Sequence, residues 1–132
     1  MAYKVSFAYN KKGYGALCVW KNNRLEECFP CRTGSINGNE MLVNAIRPGI
    51  WTAREDVVKT SEIAMVVDGV GFKLRLWTPE GAWSHYLIHP DGNKPGSEGC
   101  IVSLNRHVSL FTILSKVMKI MRVLPVEVGI TL

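Results

Sequence analysis

The chain has 132 residues, 47% hydrophobic and 20% charged, with a formal net charge of +5. That length suits one domain, residues 1–132, with a real hydrophobic core, and the composition excludes a disordered or fibrous chain. No apolar run approaches the ~18 residues of a membrane span. The basic residues are scattered, with no helix-turn-helix, zinc-finger or RNA-binding motif beside them, so the charge suits an anionic polymer without pointing to nucleic acid.

The first residues, Met1 to Lys12, lack a basic segment followed by an apolar one, so no signal peptide is expected. Tyr3 to Tyr9 alternates Val5, Phe7 and Tyr9 with Lys4, Ser6 and Ala8, which predicts a half-buried strand. Turns at Asn10–Gly13 and Lys21–Arg24 bound a second strand over Tyr14–Trp20 and a third over Leu25–Phe29. Thr33 to Asn44 is rich in Gly, Asn and Ser and reads as a loop. The turn Ile46-Arg-Pro-Gly-Ile-Trp51 feeds a short strand over Ile50–Arg54. Glu62–Val67 and Phe72–Trp77 flank Asp68–Gly71 as a hairpin, and Ala82–His89 follows the turn Thr78–Gly81 as another strand.

A short strand over Ile101–Leu104 leads to a helix opening at Asn105 or Arg106. There Val108, Phe111, Leu114, Val117, Met118 and Met121 recur at helical spacing, a stripe for core packing. His107, at the helix start, reads as a surface residue. Leu124-Pro125 ends this region and Val126–Leu132 is a closing strand. The fold class is therefore mostly β, a single β-sandwich or barrel domain with one helix late in the chain.

The chemistry concentrates in His89-Pro-Asp-Gly-Asn-Lys-Pro-Gly-Ser-Glu-Gly-Cys-Ile-Val-Ser103. An imidazole that accepts a thiol proton generates the nucleophilic thiolate. Cys100 at the edge of a strand, after Gly99, leaves room for a substrate. His85 lies four residues before His89, and regular alternation would place both on one side. Trp51, Trp77 and Trp83 read as core or cleft walls. The other cysteines are Cys18, Cys28 and Cys31. Cys28-Phe-Pro-Cys31 has the spacing of a redox pair or half a zinc site. Pro30 and the polar stretch after it do not give the strand-to-helix setting of a redox motif, and no second ligand pair is evident, so neither a metal nor another cofactor is expected.

Ser97-Glu-Gly-Cys100 with His89 upstream resembles the L,D-transpeptidase catalytic-domain family of bacterial cell-wall enzymes, whose motif is a histidine followed after a spacer by Ser-His-Gly-Cys. Phe29-Pro-Cys-Arg-Thr-Gly34 and Ile46-Arg-Pro-Gly-Ile-Trp51 are similar to segments upstream of that motif. The order of features agrees over residues 3 to 121, with a spacer like that of type VI-secreted and phage-associated proteins. Glu98 replaces the family's second histidine, and Val102 stands where an arginine often follows.

The resemblance implies that Cys100 is the nucleophile and His89 the general base and later acid. Ser97 would hold the loop or the histidine, and Gly99, with neighbouring amides, would form an oxyanion hole. From the residues themselves, His85, Asp91, Gly92, Glu98 and Trp83 are the candidates for substrate binding; His85 either lines the cleft or packs, and Glu98 reads as a solvated charge and not as an acid catalyst. The substrate would be a peptidoglycan stem peptide, attacked in the periplasm or wall of a target bacterium after delivery by another system. The protein would be an antibacterial effector or phage-related lytic protein, and a secretion apparatus or an immunity protein would be its partner. Two alternatives stay open: a catalytically silent peptidoglycan-binding module, and a cysteine peptidase or amidase cutting another wall bond.

Overall fold

The structure, a computed structural model, describes residues 2–92 and 98–131. The elements in order are β1 (Tyr3–Tyr9), β2 (Tyr14–Lys21), β3 (Arg24–Thr33), β4 (Ser35–Ile36), β5 (Leu42–Val43), β6 (Gly49–Ala53) and β7 (Val58–Lys59). A 3-10 turn (Ile63–Met65), β8 (Val66–Val67), β9 (Val70–Trp77), β10 (Trp83–Pro90), β11 (Ile101–Ser103), α1 (His107–Ile120) and β12 (Leu124–Ile130) follow. The domain is mostly β, with its one α-helix after Cys100 among the described residues.

Strand pairing runs β10-β11-β3-β2-β1-β12-β6-β9, and β9 also pairs with β10, so the sheet closes on itself. Closure removes the exposed edges that an open sheet would present. The interior follows from alternation. Val5 lies opposite both Val19 and Val126, Val126 lies opposite Trp51, and Phe7 lies opposite Leu17, which in turn faces Phe29. Leu110, Leu114, Val117 and Met118 of α1 join this core, and Phe72 meets Phe111 with ring centroids 5.6 Å apart. No helix is long and apolar enough to cross a membrane among the described residues.

Four expectations need correction. The third strand runs through Pro30 to Thr33 instead of ending at Phe29. Pro30 offers its carbonyl to the Leu104 amide at 3.0 Å. In a strand the N–H and C=O of one residue point the same way, so the amide that proline lacks would face that side, and no bond to β2 is lost. Residues 62–67 are mainly the 3-10 turn with a two-residue strand, and the expected loop at 33–44 carries the β4–β5 hairpin. His107 is buried, with its Nδ1 2.7 Å from Ser103 Oγ. Arg106, in the left-handed region at φ 53°, reaches back to the Cys28 carbonyl and Glu27 and ties the helix start to β3.

Cys18 and Cys28 form a disulfide, so the Cys28–Cys31 spacing marks no redox pair. A bulge sets this pairing. The Asn22-Asn23 turn, with φ 50° and 64°, pairs Lys21 with Arg24 and Trp20 with Leu25. Unbroken counting would put Cys18 opposite Glu27, but the register shifts after Trp20 and brings Cys28 opposite, with Cα atoms 4.1 Å apart. A Cys18→Ser/Cys28→Ser double variant should be destabilised by about 2–3 kcal/mol in denaturant titration, because the cross-link restricts the unfolded chain. Non-reducing peptide mapping should find Cys18 joined to Cys28.

Candidate active site

The site rests on the parallel pair β10–β11, in which Ile88 lies opposite Ile101 and His89 opposite Val102. Residues opposite one another share a face, and successive residues alternate. Ile88 and Ile101 are fully buried in the core, so His89 and Val102 project from the other side of the wall. β3 continues the row: Arg32 lies opposite Val102. On β9, Arg75 lies opposite Leu87, two residues before His89 and therefore on the same face as the histidine. Cys100 immediately precedes β11, and the Leu87 amide donates to its Sγ at 3.4 Å. Thus β9, β10 and β11 bring Arg75, Leu87, His89 and Cys100 to one region of the outer wall.

His89 is 8% exposed, and its Nδ1 lies 2.6 Å from the Pro90 carbonyl oxygen. A carbonyl only accepts, so Nδ1 carries the proton and Nε2 keeps a lone pair, the form a general base requires. Burial holds the His89 pKa below its ordinary value, against the opposing Pro90 hydrogen bond and the charges of Asp91 and Glu62. Burial pushes the Cys100 thiol up. The Leu87 amide and then Arg75 pull it down, and Glu98 adds to the upward shift. Desolvation thus favours the neutral forms of both the Cys100 thiol and the His89 imidazole over their charged forms.

Gly99 sits at φ +85°, and a Cβ there would lie 2.3 Å from ring atoms of Tyr86. The Tyr86 ring therefore packs against the Gly99 backbone next to Cys100, and no side chain fits between them. The Gly99 amide donates to the Asn44 carbonyl at 2.6 Å, so it is not presented to a substrate as an oxyanion donor. That bond ties the start of the Cys100 segment to the end of the β4–β5 hairpin.

The other expected residues divide. The Asp91 amide donates to the Ser103 carbonyl at 3.0 Å, and the carboxylate acts electrostatically on both His89 and His107. Gly92 donates to the Ala64 carbonyl at 3.2 Å, and a Cβ would collide with Ile63 and Ala64, so its role is to pack against the 3-10 turn. Glu98 is exposed. His85 is exposed and meets the Trp83 ring edge-on at 4.8 Å. The β10 register breaks between Trp83 and Leu87, so alternation does not carry His85 to the face of His89. Ser97 lies outside the described residues. Trp51 is core, packed 5.5 Å from Tyr86, whereas Trp83 is 53% exposed. Arg75, Tyr86 and Asn44 had no motif to announce them. Only strand pairing and the turn at Asn44 bring them to the site.

Comparison with protein-family models, with characterised proteins and with solved structures finds no match.

Two outcomes follow. Burial pushes the Cys31 thiol up to about 12, and Cys18 and Cys28 are paired, so iodoacetamide under native conditions should label Cys100 alone. Its rate should climb with pH past the thiol's ordinary 9.0 without levelling off near neutrality, as read by peptide mass spectrometry. Gly99→Ala should cost about 1–3 kcal/mol of stability from its left-handed backbone alone, with the Tyr86 clash adding to it, as measured by denaturant titration.

Proposed function

We propose that the chain is a peptidoglycan-processing cysteine enzyme of L,D-transpeptidase or L,D-carboxypeptidase type. The observation that carries this reading is His89: its Nδ1–H is committed to the Pro90 carbonyl, and its strand neighbour Leu87 donates to Cys100 Sγ. A locked tautomer and a partly exposed thiol on adjacent parallel strands suit base-assisted acyl transfer. The motif His89…Ser-Glu-Gly-Cys100 supplies the substrate class through its resemblance to the L,D-transpeptidase family.

In this mechanism Nε2 of His89 takes the Cys100 proton as sulfur attacks the carbonyl of the third stem residue. The tetrahedral intermediate collapses with cleavage of the C–N bond. The imidazolium returns its proton to the departing amine, and D-alanine leaves a thioester on Cys100. Water then yields the shortened stem, and an amine yields a cross-link or an exchanged D-amino acid. In both cases Nε2 accepts the nucleophile's proton and the thiol is restored.

Burial of His89 keeps it neutral down to below 6.5. The base form is present above the folded value and is lost as pH falls through it, so kcat/KM should keep its full acid limb below 6.5. The disulfide favours a site of action outside a reducing cytosol. This agrees with the periplasm or wall of a target bacterium and with an effector or phage-related lytic role.

Muropeptides incubated with the protein should lose their terminal D-alanine, or exchange it for an added D-amino acid, as read by mass spectrometry. Cys100→Ala should abolish both. Unchanged tetrapeptides with both proteins would overturn the proposal, and a cut elsewhere in the stem would favour a different cysteine peptidase.

A further inference from the structure

The same outer wall holds a groove of about 130 Å³ lined by Glu55, Asp56, Val58, Lys73, Arg75 and Leu87. Leu87 is shared with the nucleophile, because its amide donates to Cys100 Sγ. Arg75 lies opposite Leu87 on the neighbouring strand, so two strand spacings, ~10 Å, separate its backbone from that of Cys100. Two contacts fix its guanidinium. One terminal nitrogen donates to the Ser84 carbonyl at 2.6 Å, and the group lies 4.2 Å from the centroid of the Trp83 ring.

The ion pairs of the described residues engage Lys4, Arg47, Lys73 and Arg106. Arg75 has no carboxylate partner among the described residues. The groove as a whole is not an anion funnel, since Glu55 and Asp56 line it as well, and Lys73 is already paired with Glu62. Anion recognition therefore falls to Arg75, held in place with donors left over. A guanidinium in that state matches a carboxylate in two-point geometry.

We infer that Arg75, backed by Trp83 and Ser84, binds the free C-terminal carboxylate of the peptide that Cys100 attacks. The protein would then take a substrate whose last residue is the leaving group, in preference to one with a longer or capped end. This rests on the cysteine-enzyme reading above and names the substrate end that it selects.

The test compares a stem tetrapeptide ending in D-alanine with its C-terminal amide. Cys100→Ala protein is titrated with each by calorimetry, and the protein with Cys100 intact is assayed on each by mass spectrometry. The acid should bind and turn over ~10- to 100-fold better than the amide, the effect of one charged hydrogen-bonded contact. Arg75→Gln should reduce that ratio to within about threefold, and Arg75→Lys, which keeps the charge but not the fork, should retain part of it. A thermal melt of each variant reports folding.

An acid-to-amide ratio near one with Arg75 present, or one that Arg75→Gln leaves intact, overturns the assignment. Absence of binding to either peptide overturns it as well. Acid-selective binding that depends on Arg75, without any turnover, keeps the subsite and overturns the peptidase reading instead.

Discussion

The parallel pairing of β10 with β11 is the constraint on which the site depends. The two strands are short where they meet, yet their register is held by the core. Ile88 and Ile101 lie opposite each other and fully buried, so a one-residue slip of either strand would turn its isoleucine out of the core and bring its neighbour, His89 or Val102, into it. Burying one such side chain is worth about 1.5–3 kcal/mol, which sets the scale of what the slipped strand would lose. Hydrophobic packing on the inner face thus decides that histidine and cysteine share the outer one. The Leu87 amide then meets Cys100 Sγ at 3.4 Å.

The same burial that fixes geometry sets the protonation state. Desolvation lowers the tendency of His89 to charge and raises that of Cys100 to stay a thiol. Many reactive cysteines are instead held as thiolates by nearby positive charge. Arg75 acts in that direction here, but burial outweighs it. In the proposed mechanism a neutral pair would need a base in the right tautomer, since proton transfer would have to accompany attack. The Pro90 carbonyl, the nearest acceptor in sequence to His89, meets that need at 2.6 Å. Two consecutive residues of β10 therefore supply the imidazole and the carbonyl that fixes its tautomer.

Much of this was legible from alternation and from one loop. Tyr3–Tyr9 came out as a strand with its predicted bounds, and the helix appeared where Phe111, Leu114, Val117 and Met118 repeat. His89 and Cys100 stood out because the sequence between them is punctuated by glycines. What sequence could not give were features created by register. Cys18 pairs with Cys28 only because a bulge after Trp20 shifts the count by one residue, whereas the Cys28–Cys31 spacing drew attention to the wrong partner. His107 looked like a surface residue because nothing local reveals that Ser103 lies within reach. Pro30 looked like a strand terminator because its harmless orientation depends on where β11 ends.

The irregular half of β10 has its own logic. Between Trp83 and Leu87 the strand carries two more residues than β9 does across the same interval, since Trp83 faces Trp77 and Leu87 faces Arg75. A bulge of this kind turns backbone groups out of the ladder and re-aims side chains. Here it frees the Ser84 carbonyl for Arg75, while Ser84 Oγ donates to the Leu76 carbonyl and accepts from the Tyr86 amide, so the distorted segment stays hydrogen-bonded. Immediately beyond it, regular pairing resumes for the residues that set His89 and Cys100. One strand thereby divides into a regular part, whose register the core dictates, and an irregular part, whose backbone holds the Arg75 guanidinium. A straight β10 would keep the first and lose the second, because its backbone at Ser84 would return to the ladder with β9 instead of meeting a side chain.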